Sequence, residues 1–209
     1  MGFWSGLASA VTSVASSVCR VVTGAVSLVK EVTPLALDAI SKVANVVCEV
    51  ARSLGFLKIE DDPVTLGDKI IQAEEKGITL ESCQSDYDLY MEKIRSFRVD
   101  PERSKAIDEV DKLKASTITV GARIESHYGT SIAPLIPLIV RSAAFFTAGR
   151  LKAILDAGIA VVSIAGYFNS AFDRNTSATV EGQIVSAGKA AQPEMSEDKL
   201  REIVRAERA

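Results

Sequence analysis

The chain has 209 residues, of which 47% are hydrophobic and 24% are charged. This balance excludes a disordered polar chain, and the length is sufficient for a sizeable core. The formal net charge of −3 gives no reason to expect nucleic acid as a partner, because proteins that bind phosphate backbones usually carry a basic excess. Only 6% of the residues are aromatic, so the apolar content is mostly valine, alanine, isoleucine and leucine.

Charge is distributed unevenly along the chain. Residues 59–128 carry sixteen acidic and ten basic side chains, whereas residues 129–172 carry one acidic and three basic side chains. The pattern predicts an all-α helical bundle in four segments. We expect an apolar amphipathic helical hairpin (1–58), an acidic soluble helical segment (59–128) and a hydrophobic helical hairpin (129–172). The last segment (173–209) is expected to be a linker over residues 173–192 followed by a short charged C-terminal helix that Ser196 caps.

The first segment predicts two helices with little charge. One apolar stripe runs from Trp4 to Val32 at alternating three- and four-residue spacing, with serine and threonine on the other faces. Thr33-Pro34 interrupts it, because proline disfavours a helical conformation in the residue before it, and a second stripe runs to Gly55. The helices are either a packed antiparallel pair or small-residue helices that move between a protein core and a bilayer.

The acidic segment predicts conventional helices with recognisable ends. One helix runs from about Leu66 to Gly77, and Ser85 or Asp86 caps the next. Asp100-Pro101 begins a third helix, whose apolar stripe continues to Ile124. The acidic side chains are interpreted as a solvated face, with a surface for a basic partner as the alternative.

Residues 130–172 have the most unusual composition. Two apolar stretches flank Arg150 and Lys152, and each is barely long enough to cross the hydrocarbon of a bilayer as a helix. We interpret them as a hydrophobic hairpin with Arg150 and Lys152 at its tip, the alternative being the buried central hairpin of a bundle. The candidate membrane-inserting residues of the chain are Trp4, Leu7, Val11, Val14, Val18, Ile136, Ile139, Phe145, Phe146, Ile159, Val162 and Ile164.

The sequence contains no pattern that indicates catalysis. Its one histidine, His127, has no recognisable nucleophile or acid at catalytic spacing. The stretch Gly182–Lys189 has five residues between its glycines where a phosphate-binding loop has four, and it lacks the Ser/Thr that binds magnesium. Three widely spaced cysteines indicate neither a disulfide framework nor a metal cluster. We therefore expect no enzymatic activity, no cofactor and no metal.

The N-terminus lacks the features of a cleavable signal peptide. No positively charged region precedes the apolar stretch, since the first charge is Arg20. We therefore expect synthesis in the cytoplasm and export or delivery to a target membrane by another route.

With its amphipathic leader in 1–58 and hydrophobic hairpin in 130–172, the chain resembles small helical pore-forming bacterial toxins, such as colicin pore domains and the signal-less effectors of type VI secretion. The resemblance is one of kind, without a shared sequence motif. It implies a membrane-permeabilising effector that acts on a lipid bilayer, an immunity protein in the producing cell, and a carrier or chaperone.

The alternative is a non-enzymatic assembly component of a phage virion, an ejection apparatus or a secretion machine. The apolar stripes would then be permanent interfaces of a homo-oligomer.

Overall fold

The computed structural model of the chain describes residues 5–22 and 25–208. Within these ranges all regular secondary structure is helical, which confirms the all-α prediction. The chain forms two compact units, Met1–Ser131 and Ile132–Ala209. The helices of the first unit are α1 (Ser5–Val21), α2 (Ala25–Val32), α3 (Leu37–Ser53), α4 (Pro63–Glu75), α5 (Tyr87–Ser96), α6 (Pro101–Ala106) and α7 (Glu109–Tyr128).

Helix α7 is the centre of the first unit. Twelve of its 20 residues are buried, and α1, α2, α3 and α4 all pack against it. It ends at Gly129, which adopts a left-handed conformation with φ of 64° that glycine tolerates without steric cost. The apolar segment 1–58 and the acidic segment 59–128 thus build one common core.

The N-terminal segment differs from the predicted hairpin. It forms three described helices instead of two, and these pack against α7. The predicted interruption at Thr33-Pro34 is confirmed, since α2 ends at Val32 and α3 begins at Leu37. The helices contact α7 because that helix offers a wide buried surface of small and aliphatic side chains between Ala115 and Ala122.

Helices α4 and α7 approach each other closely at Gly67. A Cβ atom at Gly67 would overlap the backbone carbonyl oxygen of Lys112, so only glycine permits this crossing. Beside it, the Lys112 ammonium lies 3.2 Å from the Asp68 carboxylate, and both side chains are about nine-tenths buried. Gln72 donates a hydrogen bond of 2.8 Å to the same carboxylate. The buried ion pair therefore lies directly beside the close contact between the two helices.

The predicted single helix after Asp100-Pro101 is two helices. Asp100 caps α6, as expected, but the chain turns at Ile107 and Asp108, whose backbones are extended. The turn brings α6 back over α7, where the Lys112 ammonium donates to the carbonyl oxygen of Ser104 at 2.9 Å and to its hydroxyl at 3.1 Å. The Ser104 hydroxyl in turn donates to Asp68.

The second unit begins with a 3₁₀ turn at Ala133–Leu135. Its helices are α8 (Ile136–Arg141), α9 (Ala148–Asp156), α10 (Val161–Phe168), α11 (Arg174–Ala191) and α12 (Glu197–Ala206).

The prediction of a two-helix hydrophobic hairpin was therefore wrong in its local structure. The 3₁₀ turn contains Pro134, and Pro137 stands in the first turn of α8. Thr147 then caps a new helix, and Gly158, with φ of 64°, follows the end of α9. These local signals divide the apolar stretch into short helices.

The prediction of a linker over residues 173–192 was also wrong. Asp173 caps α11 by accepting hydrogen bonds from the backbone NH groups of Asn175 and Thr176 at 2.8 and 3.0 Å. Val180, Ile184 and Ala187 are buried on one face of this helix. The other positions of the helix are mostly small or polar, so the apolar stripe is narrow and its helical spacing was not recognised in the sequence.

We predict that Gly67→Ala destabilises the first unit by about 2 kcal/mol, because the added methyl group must push α4 away from α7. Gly182→Ala is the matched control. It lies in the exposed middle of α11 with no atom within 4 Å of the new Cβ, so it should raise stability by about 0.5–1 kcal/mol through helix propensity. Chemical denaturation of both variants measures the two effects, and equal stabilities would contradict the close crossing.

Candidate functional site

An aromatic cluster lies at the centre of the second unit. The ring of Phe168 contacts those of Phe145, Phe146 and Tyr167 edge-on, with centroid distances of 5.4, 5.1 and 5.2 Å. All four rings are buried. They come from α10 and from the segment before α9, so the cluster joins the two halves of the predicted hydrophobic hairpin.

The amphipathic helix α12 covers part of the apolar core. Its N-cap is Ser196, as predicted, with the hydroxyl accepting from the NH group of Lys199 at 3.2 Å. Only Leu200 and Val204 of this helix are buried. They line one narrow cavity with Phe145, Arg150, Ile154, Ile184 and Gly188.

A buried carboxylate, Glu181 of α11, holds α12 in place. It accepts hydrogen bonds of 2.9 Å from Arg205 and from the hydroxyl of Tyr167, and Arg201 lies 3.3 Å away. Burial alone would raise the pKa of Glu181, but the hydrogen bond from Arg205, the one from Tyr167 and the charges of both arginines hold it below its usual value. Glu181 therefore remains ionised and joins α10, α11 and α12.

The end of α12 makes a second set of polar contacts. The Arg208 guanidinium lies 5.0 Å from the ring centroid of Tyr167 and donates to the hydroxyl of Ser177 at 3.1 Å. Arg141, the last residue of α8, donates to the carbonyl oxygen of Glu207 at 3.3 Å. These residues could not be predicted from the sequence as contacts of α12, because they lie near its end or on segments that were interpreted as linker or hairpin.

Arg150 and Lys152 are not at the tip of a hairpin, which corrects that prediction. Both lie within α9, which begins at Ala148 because Thr147 caps it. Arg150 is buried and donates to the carbonyl oxygen of Phe145 at 3.1 Å and to the side chain of Gln192 at 2.8 Å. Burial lowers the pKa of its guanidinium. Lys152 pairs with Asp156 one turn further along α9.

Most of the candidate membrane-inserting residues whose side chains are described lie in the core. Val162 is the exception, with 69% of its surface exposed. Trp4 lies outside the described residues, and so does the side chain of Leu7. The buried candidates are Val11, Val14, Val18, Ile136, Ile139, Phe145, Phe146, Ile159 and Ile164.

An open groove lies between α9 and α11, with a volume of about 1080 Å³. Small residues dominate its floor and walls, and the pair of Lys152 and Asp156 stands beside them. The small residues of the groove are Gly149, Ala153, Ala157, Gly158, Ala160, Ser163, Gly182, Ser186, Ala187, Ala190 and Ala191. Such surfaces let a second helix approach closely.

Among the residues that the structure describes, no helix combines the length and the apolar character needed to cross a membrane. Comparison with known proteins gave no match to a family model, to a curated protein or to a solved structure.

We predict that Glu181→Gln loosens α12, because the ion pairs with Arg201 and Arg205 are lost while the hydrogen bond from Tyr167 can persist. Removing this partly buried charge pair should cost about 1–3 kcal/mol. Amide hydrogen exchange of residues 198–206 measures the effect. Glu202→Gln is the control, since Glu202 pairs with Lys199 on the exposed face of the same helix, and equal exchange in the two variants would contradict the role of Glu181.

The pH dependence of this contact follows from the lowered pKa of Glu181. A carboxyl group with a lowered pKa stabilises the fold above its unfolded pKa, and the contribution is lost as the pH falls through the folded pKa. The docking of α12 should therefore weaken only in acid, below about pH 4.

Proposed function

We propose that the chain is a membrane-permeabilising helical effector whose apolar second unit is kept closed by α12 until it meets a target bilayer. The observation that carries this proposal is the way in which α12 packs over the apolar core of the second unit. An aromatic and aliphatic core lies beneath a helix that buries only Leu200 and Val204 and is otherwise held by polar contacts around Glu181.

The polar contacts that hold α12 could be replaced by contacts with the phosphate groups of a lipid bilayer. Arg201 and Arg205 pair with the carboxylate of Glu181 in the fold, and guanidinium groups bind phosphate oxygens with the same fork-like geometry. An amphipathic helix also binds at the boundary between headgroups and acyl chains. Transfer of α12 to an anionic surface would uncover Phe145, Ile154 and Ile184 for contact with lipid.

The composition of the covered segment supports the same proposal. Residues 157–172 are uncharged and contain small side chains such as Ala165 and Gly166, which permit close helix contacts in lipid. In the cell, this proposal calls for a carrier or chaperone before delivery and for an immunity protein in the producer.

We predict that the protein releases dye from vesicles that contain anionic phospholipid, and that Leu200→Ala with Val204→Ala accelerates release severalfold. Removing these two buried side chains weakens the cover, at a cost of about 2–5 kcal/mol for each fully buried aliphatic side chain. Lys199→Ala, on the exposed face of α12, is the control and should leave the rate near that of the parent. Absence of leakage at every protein-to-lipid ratio, in neutral and mildly acidic buffer, would overturn the proposal.

The groove between α9 and α11 favours a second candidate function, that of a non-enzymatic assembly component. A helix from a second copy of the chain, seated on the small residues of the groove, would form a homo-oligomer. Permanent interfaces are apolar in the manner of a divided core, and the exposed Val162 lies on α10, next to Ser163 of the groove.

Light scattering distinguishes the two functions. A large oligomer that forms without detergent and is disrupted by Gly182→Trp, which fills the groove, supports assembly. Ala178→Trp, exposed on α11 outside the groove, is the control and should leave the mass unchanged. A monomer that gains affinity for lipid supports the effector.

A further inference from the structure

A carboxyl group is buried in the first unit with no buried cation beside it among the described residues. Glu74 of α4 has only 7% of its surface exposed, and neither of its carboxylate oxygens has a hydrogen-bond partner among the described residues. The nearby hydroxyls of Ser17 on α1 and Tyr90 on α5 are also buried and unpartnered. This cluster lies where α1 packs against α4.

The charged and titratable groups that act on Glu74 come from two neighbouring helices. Arg20, at the end of α1, is 62% exposed and lies 3.4 Å from Glu81, so water and a second carboxylate weaken its effect. Tyr90 faces Glu74 from α5 and is close to Cys83. Burial keeps the Tyr90 phenol neutral by raising its pKa well above its usual value. Among the described residues, the surroundings of Glu74 therefore supply no buried cation to balance its ionised form.

Helix α1 packs against both α4 and α7. The side chains with which it covers α4 and α7 are small, among them Val14, Ser17 and Val18. Helices α4 and α7, in contrast, are held together by backbone contact at Gly67 and by the ion pair of Asp68 with Lys112.

We propose that Glu74 is a pH-sensitive latch for α1, docking this helix onto α4 and α7 when its carboxyl group is protonated and loosening it when the group ionises. The latch belongs to the first unit and does not depend on the proposed activity of the second. It supplies a way to expose the weakly charged amphipathic leader in response to pH.

The direction follows from the burial of the carboxyl group. Burial raises the pKa of Glu74 to about 7, although the charge of Arg20 opposes the rise. Because the displaced state ionises near the usual value, the docked state loses stability as the pH rises from about 4.5 to about 7, and the loss levels off above that. The latch therefore closes in acid and opens in neutral to alkaline solution.

Amide hydrogen exchange of residues 14–21, corrected for the intrinsic pH dependence of exchange, tests the latch. Between about pH 5.5 and about pH 8.5 the opening constant of α1 should rise about thirtyfold, while the amides of α7 serve as an internal reference. Glu74→Gln should remove this dependence and keep α1 protected. Glu92→Gln, which changes an exposed carboxylate on α5, should retain it.

A direct titration of the Glu74 carboxyl carbon by NMR in the parent protein tests the proposal without any substitution. A midpoint near that of an ordinary glutamate would overturn the latch. Protection of α1 that does not change with pH, or a dependence that survives in Glu74→Gln, would also overturn it. None of these results bears on vesicle leakage, so the latch and the proposed function fail separately.

Discussion

The first unit depends on the crossing of α4 and α7, where the two backbones come into direct contact. Gly67 allows the approach because it has no side chain to place between them. Asp68, the next residue, forms an ion pair with Lys112 there, and Gln72 and Ser104 form hydrogen bonds with the two charged groups. A buried ion pair of this kind contributes little net stability, but loss of one partner leaves an uncompensated charge. Together with Ser104, the pair joins α4, α6 and α7 at this point.

Other helices cover the faces of α4 and α7 that lie outside this crossing. Helices α1, α2 and α3 pack against α7, and α1, α3 and α5 pack against α4. Over Glu74 the cover is α1, which brings small side chains and a buried hydroxyl but no buried cation. The second unit likewise contains a compact core and a helix that is attached to it by fewer apolar contacts. Its aromatic core is compact, whereas α12 is attached through two aliphatic side chains and a set of arginine contacts.

Helix ends were the most predictable features of this chain, because they rest on chemistry between near neighbours. Asp86 and Ser196 cap helices as expected, and Thr33-Pro34 separates two helices. Helix continuity was predicted less well. The stripe from Ile107 to Ile124 fits one helix, but the chain turns at Ile107, and Lys112 on α7 then donates a hydrogen bond to the carbonyl oxygen of Ser104 on α6. The pattern of apolar residues could not reveal that contact.

The candidate site was accessible to sequence analysis only in part. Its apolar residues were recognised by composition, but Glu181 was placed in a linker, and Arg150 was placed at an exposed tip. Arg150 is instead buried beside Phe145, and Glu181 gathers Tyr167, Arg201 and Arg205. Long-range pairing of this kind leaves no periodic trace in a sequence, since its partners are separated by 14, 20 and 24 residues on different helices.

By itself the sequence determined that this protein is helical, where several of its capped helices begin, and which stretches carry little charge. These properties follow from local backbone preferences and from the spacing of apolar side chains. Tertiary structure alone decided which helix is central, how the apolar stretch of the second unit is divided and covered, and which charged side chains are buried. Those outcomes depend on the free energy of contacts between distant residues, above all on whether a buried charge finds a partner. Asp68 has Lys112 and Glu181 has Arg205, while Glu74 has no buried cation.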